Sequence, residues 1–371
     1  MKNVKILIIS GVLAGAFSLS TQTLASPSEE NVCNREEFSG CLNGVASSVT
    51  NGAGLRVSSS ELSDVARERS GKKAEDSQAS VLQPMSGLPA GDEMGGSVFG
   101  TWMSYSYSDF ESDFSFQGTS LGYDADAHNV LAGFDRLFND HFLMGLAFGY
   151  QWVDADTDFN GGGQDNDGFT IAPYAAFLLT DVFSVDVTGG YSDLDYEQDR
   201  ISPTDGTDIN ADFDADRWFV AANANALYIV DSWVFGAKIG YLYTDEEQDG
   251  YLETGSAASA AAGRLRTVQK RKIDLSQMSA SADIAYNFGA WEPYFMATYR
   301  NDLSRDDGNN AGGLPGNFTS VQPDDDDEVQ LNFGVRFYTT WGLSTTLEYQ
   351  RIEGRKDFDS NTFMMIVRAA L

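Results

Sequence analysis

The 371-residue chain is poor in cysteine and histidine, with two of each. Two cysteines exclude a disulfide scaffold and a cysteine-built zinc site. Two histidines leave little for a His-rich metal centre or several catalytic imidazoles. Positive charge is scarce as well: 24 Lys and Arg stand against 55 Asp and Glu, a net charge of −31. A nucleic-acid binder must neutralise phosphates, so no nucleic-acid partner is expected. Beyond the first residues no apolar run approaches the ~20 residues of a spanning helix. Disorder is excluded in turn, because 42% of the chain is hydrophobic and 12% aromatic.

The start has three parts. Met1-Lys2-Asn3-Val4-Lys5 is basic, Ile6 to Phe17 is apolar, and Thr23-Leu24-Ala25 ends on small residues before Ser26-Pro27. This is the secretory pattern, with cleavage expected after Ala25, so residues 1–25 read as a signal peptide and the remainder as exported. An exported chain without a spanning helix crosses a membrane only as a closed barrel.

Residues 26–94 differ from the C-terminal three quarters of the chain, with Phe38 as their single aromatic. Cys33 and Cys41 are a candidate local disulfide; the alternative is two free thiols. Residues 60–70, opening on Ser60-Glu61-Leu62-Ser63, read as a helix with a Ser cap. Its apolar face is too thin for independence in water, so it needs a wall to lean on. Gln83 to Gly91 reads as an extended linker.

From about residue 95 to 371 the signal is period two. Phe142, Met144, Leu146, Phe148, Tyr150 and Trp152 alternate with Leu143, Gly145, Ala147, Gly149 and Gln151. Trp233, Phe235, Ala237, Ile239, Tyr241 and Tyr243 alternate with Val234, Gly236, Lys238, Gly240, Leu242 and Thr244. Such alternation is that of strands. The large face carries aromatics at its ends, as at the two interfaces of a membrane barrel. The small face carries isolated charges: Asp186, Lys238, Asp283, Glu292, Arg300, Arg336, Glu348 and Arg368. A soluble core rejects these, whereas a watery lumen accepts them.

Tight turns alternate with long polar connections at Asp156–Asp167, Gln198–Asp212, Asp245–Arg271 and Ser304–Asp326. The expectation is therefore an all-β fold, a twelve-stranded antiparallel transmembrane barrel. Its strands fall at 97–109, 122–138, 141–155, 168–179, 182–196, 213–229, 233–245, 272–288, 291–303, 328–339, 342–354 and 360–371. Both ends lie on the short-turn side, and the segment at 60–70 lies in the lumen. Leu146, Phe148, Phe235 and Val335 should face lipid. Phe235→Arg should then impair insertion, and the neighbouring Gly236→Ser much less.

The stretch Tyr123-Asp124-Ala125-Asp126-Ala127-His128-Asn129-Val130-Leu131-Ala132-Gly133-Phe134-Asp135, with Gly145-Leu146-Ala147-Phe148-Gly149-Tyr150 after it, resembles the autotransporter β-domain, as does the layout of helix, linker and twelve strands. The resemblance implies an outer-membrane translocator barrel that carries a segment to the cell surface. It also implies insertion by the barrel-assembly machinery and contact with outer-membrane lipid and lipopolysaccharide. The barrel is expected to be a monomer. Two departures stand out. Residues 26–94 are few for a passenger, and the chain closes on Leu371 where the family commonly ends on Phe or Trp. The alternative is a stand-alone small porin or surface-interaction barrel with acidic outer loops.

An enzymatic reading needs a nucleophile beside a positioned histidine. His128 shares a face with Asp124 and Asp126, but the sequence places no Ser or Asn beside it. It reads as a rim histidine. Asp154-Ala155-Asp156-Thr157-Asp158 resembles a calcium loop, yet Phe159 stands where the sixth-position Gly belongs. No catalytic residue, cofactor or metal is assigned, and the chain is expected not to be an enzyme. Arg264, Arg266, Lys270, Arg271 and Lys272 form a basic cluster that can meet lipopolysaccharide phosphates or pair with nearby acidic loops; pairing is favoured.

Overall fold

A computed structural model describes residues 99–370, apart from 114, 117–118, 121, 139–140, 159–160, 181, 307–325, 340–341 and 356–357. The signal peptide, the Cys33–Cys41 pair and the helix expected over 60–70 lie outside the described residues.

Twelve strands close into one antiparallel barrel. In chain order they are β1 (Phe99–Ser112), β2 (Tyr123–Phe138), β3 (Phe142–Thr157) and β4 (Gly163–Leu178). Next come β5 (Phe183–Ile201), β6 (Asp208–Val230), β7 (Trp233–Gln248) and β8 (Arg271–Tyr286). The last are β9 (Trp291–Asp306), β10 (Asp327–Tyr338), β11 (Leu343–Glu353) and β12 (Phe358–Ala370). Each pairs with its sequence neighbours, and β1 pairs with β12 from Gly100↔Ala370 to Ser112↔Phe358. Closure removes the free edges that lipid cannot satisfy.

The connections on one side are short, two to four residues between strands. Between Val230 and Trp233 only Asp231 and Ser232 intervene, and Asp231 takes the left-handed conformation (φ 53°) that Asp tolerates in such turns. Pro173 sits inside β4 and lacks a donor, and the β4–β5 ladder is interrupted there between Ile171↔Tyr191 and Tyr174↔Thr188.

The two faces separate by chemistry. Outside lies an apolar belt in which Phe148, Phe235, Trp218 and Ile239 are all exposed. A continuous belt of this kind far exceeds what a soluble surface carries, and it fits hydrocarbon. Among the described residues no helix is long and apolar enough to cross a membrane. The inner face holds separate apolar clusters instead of one core. Trp102, Leu143, Ala147, Ala172 and Tyr174 form one, and Leu178, Leu227, Val234, Ala285 and Tyr294 another.

The wall is uneven in height. β5 and β6 pair over Phe183↔Ala226 to Ile201↔Asp208, roughly 60 Å of strand at ~3.3 Å per residue, whereas β11 has 11 residues. Two polar connections expected at 156–167 and 198–212 are therefore mostly strand, leaving only 158–162 and 202–207 between the strands. The reason is visible in Asp193-Leu194-Asp195-Tyr196-Glu197-Gln198-Asp199-Arg200. Its acidic residues alternate with buried ones, which is strand alternation continued beyond the lipid.

Candidate functional site

The lumen wall is built from the inward residues of every strand. Glycines set its relief, because a missing Cβ on one strand lets a neighbour's ring lie flat against the backbone. A Cβ at Gly133 would fall 2.5 Å from the Trp102 indole, and one at Gly334 would overlap the Tyr294 ring. Gly236 is of the same kind: the Asp283 carboxylate lies over it. A side chain in Gly236→Ser therefore requires the end of the Asp283 side chain to shift, a cost to set beside the expectation that this change harms the barrel much less than Phe235→Arg.

The eight charges singled out from the sequence all lie on inward positions. Asp186 accepts hydrogen bonds from Asn223 Nδ2 (2.7 Å) and Asn225 Nδ2 (2.8 Å). Lys238 stands opposite Ser281 and Asp283 opposite Gly236, one inward step apart on β7 and β8. Glu292 accepts from Arg336 Nη1 at 2.9 Å, and the Arg336 guanidinium sits 4.0 Å from the centre of the Tyr294 ring. Tyr294 Oη donates to Glu348 Oε2 (2.5 Å), whose other oxygen accepts from Asn332 (2.8 Å) and Gln350 (2.6 Å). The fold therefore joins Glu292, Arg336 and Glu348 through one tyrosine. Arg300 pairs with Glu328 at 2.9 Å and also donates to Gln330. Arg368 forms a two-pronged pair with Asp135, both contacts at 2.8 Å.

Several partners were not singled out from the sequence. Asp135 accepts from Tyr174 Oη (3.0 Å), which accepts from Trp102 Nε1 (2.7 Å). Arg217 pairs with Glu246 (2.7 Å) and donates to Gln151 on β3 (3.2 Å), reaching inward across β4 and β5. Parity along the strand marks Asp135, Arg217, Glu246 and Glu328 as inward. Arg355 lies in the β11–β12 connection, where parity says nothing, yet it reaches Glu328 (2.7 Å) and Asp302 (2.8 Å). Glu328 is therefore a buried partner of two arginines. A hollow opens on the wall beside Asn129, Gln151, Thr170, Tyr174, Thr188 and Arg217.

Outside, the interfacial tyrosines mark where lipid ends. Tyr107 donates to Asp126 at 2.5 Å, Tyr150 to Asp167 and Tyr191 to Asp216. Above them carboxylates face carboxylates across the strands: Asp126↔Asp154, Asp154↔Asp165, Asp165↔Glu197, Glu197↔Asp212. Asp154 and Asp156 are thus strand residues on the outward face. His128 is outward too, stacked on Trp152 (5.1 Å) with Tyr105 Oη 2.9 Å from Nδ1, and so stands apart from the lumen. In the basic cluster Lys270 pairs with Glu247 (2.5 Å) and Lys272 with Asp245 (2.7 Å).

A sealed wall, a polar interior and both described ends on the short-turn side make a conduit. The arrangement can hold or pass a polypeptide segment. The profile of the autotransporter beta-domain family matches residues 101–350. Among solved structures the chain is similar to the translocator domain of autotransporter NalP from Neisseria meningitidis. Identity there is 11% and the TM-score 0.61, over 85% of this chain and 99% of that one. It is also similar to the beta domain of the Bordetella autotransporter BrkA, at 14% identity and TM-score 0.58, over 74% of this chain and 100% of that one. A third likeness is to the transport unit of autotransporter AIDA-I from Escherichia coli, at 9% identity and TM-score 0.51, over 82% and 99%. At such identities the structural likeness is one of fold. No curated protein sequence matches the chain.

Proposed function

The chain belongs to the autotransporter β-domain family, whose barrels sit in the outer membrane, and from that premise we propose that this barrel translocates or anchors its own residues 26–94. The observation that carries the reading is the conduit itself, a closed wall whose inner face is polar and charge-paired and whose outer face is apolar. Inward ion pairs leave a lining that wets readily between its separate apolar clusters. On this reading the signal peptide is cleaved after Ala25. The barrel-assembly machinery inserts the chain as a monomer, and its outer rim meets lipopolysaccharide. The work is non-covalent and needs no cofactor.

Protease shaving of intact cells, with detection of residues 26–94 afterwards, tests the proposal. Loss of the segment while the barrel persists is the expected result for a translocated segment. A segment protected on intact cells but cleaved after the outer membrane is opened would indicate anchoring inside. A large steady conductance of the intact protein in planar bilayers, unchanged by removing residues 26–94, would favour the small porin instead.

A further inference from the structure

Above the bilayer the tall wall has a small core of its own. Tyr196, Phe213 and Tyr251 form a three-ring stack, with centroids 4.9 and 4.6 Å apart, among Leu194, Ala211 and Ala215. The β5 and β6 members lie on the faces that, lower on the same strands, look into the lumen. The connection between β7 and β8, residues 249–270, covers them. It first runs along the free upper edge of β6, where Asp249 N donates to Asp214 O (2.9 Å). There Asn210 and Thr254 exchange two backbone hydrogen bonds of 2.8 Å. It then turns through a five-residue helix, α1 (Ala257–Ala261), capped by Ser256, and returns through a ladder of Tyr251–Leu252 with Thr267–Val268.

Two sets of polar contacts hold this segment to the β5–β6 hairpin. Arg200 donates twice to Glu253 (2.9 and 2.6 Å) and once to the Arg264 carbonyl (2.8 Å), and both charged side chains are 5% exposed. At the hairpin tip the Ser202 and Ser259 hydroxyls lie 2.6 Å apart, and Asp205 accepts from Ser259 (3.2 Å) and Ser256.

Two residues suffice to join adjacent antiparallel strands. This connection is far longer and carries a buried ion pair, so it is a built element. A helix of five residues does not persist alone in water. The order of the segment therefore depends on its docking, the coupling from which switching elements are built. Its neck is narrow. A Cβ at Gly250 would fall 2.9 Å from the Val268 carbonyl, and the exposed Lys270 pairs with Glu247 and Asp249 cross the neck below the Tyr251–Val268 rung. Exposed pairs of that kind are weak.

We propose that residues 249–270 are a lid over the outer mouth of the lumen, hinged at Gly250 and Gln269–Lys270 and held shut on the β5–β6 hairpin by the Arg200–Glu253 pair. The inference goes beyond translocation, because a lid gates whatever occupies the lumen. A disulfide staple tests it in the full-length chain carrying Cys33→Ser and Cys41→Ser. Ser202→Cys with Ser259→Cys locks the segment down when oxidised and frees it when reduced. Planar-bilayer conductance is read in three proteins: staple oxidised, staple reduced, and Glu253→Gln, which leaves Arg200 without its counter-charge. Opening events should be suppressed by oxidation, restored by reductant, and several times more frequent in Glu253→Gln than in the parent. Heat-modifiable gel mobility verifies that each barrel is folded. Identical records from all three folded proteins would overturn the lid. Export of residues 26–94 is scored separately by shaving, so failure of the lid and failure of translocation remain distinguishable.

Discussion

Removing the Arg368–Asp135 pair should expose how the barrel is closed. Arg368 is on the last strand, Asp135 on β2, and β1 lies between them, so the pair spans the closing seam from inside. It crosses at Gly100, where a Cβ would stand 2.6 Å from Asp135 Oδ1. The carboxylate is 1% exposed and the guanidinium 17%. Truncating one partner of such a buried pair leaves an uncompensated charge, at a cost of about 3–5 kcal/mol. That corresponds to a hundredfold or more in the unfolding equilibrium. Replacing both by apolar residues of similar volume is often neutral. Asp135→Ala and Arg368→Ala should therefore each lower the urea midpoint of the refolded barrel strongly. Asp135→Leu combined with Arg368→Met should recover most of the loss. Asp135 also accepts from Tyr174, so its own truncation should be the worse of the two singles. Urea titration of tryptophan fluorescence, run as a double-mutant cycle, measures this. A double variant as unstable as the sum of the singles would refute the seam argument.

The same geometry sets other outcomes. Phe148→Arg, outward near the middle of β3, should cost ~2–4 kcal/mol at the bilayer midplane. The adjacent Gly149→Ser should be tolerated, because a Cβ there has its nearest neighbour at 3.4 Å; equal effects in a folding titration would mean the faces are misassigned. Tyr294→Phe removes the donor to buried Glu348 and should cost about 1–3 kcal/mol, read as a lowered unfolding midpoint. At the outer ends of the strands, the charges of Asp113 and Asp124 push the Glu111 carboxyl above its usual range. Burial, reinforced by Asp208, does the same to Asp199. A carboxyl with a raised folded pKa contributes stability in full below its unfolded value of about 4 and loses it as pH rises through the folded value. Asp205 runs the other way: the hydroxyls of Ser256 and Thr207 hold it well below its usual range, so its contribution is lost only in acid below about pH 4. At low salt, protease nicking of the hairpin at 202–207 should therefore be faster at neutral pH than at mildly acid pH, and added salt should slow it. A rate flat with pH would refute the repulsion across the wall.

Period-two alternation in stretches such as Phe142–Trp152 determined the strand count and which face meets lipid, because a strand in hydrocarbon must sort its side chains by parity. The same parity marks Asp186, Arg300 and Arg368 as inward. Where lipid ends, the rule that apolar means outward reverses. In Asp193–Arg200 the acids face out and Leu194 and Tyr196 face in, which is why those polar stretches read as loops. Which inward charges meet was not written in any one strand. Arg368 finds Asp135 across a strand that contributes only the space at Gly100, and Arg355 enters from a connection with no period at all. The lid is hidden for the same reason: Arg200 and Glu253 are 53 residues apart and meet only because β7 ends below the top of β6. The sequence alone determined the barrel and its faces, since those arise from local alternation. Only the tertiary structure decided the pairings and the lid, since they depend on register and unequal strand length.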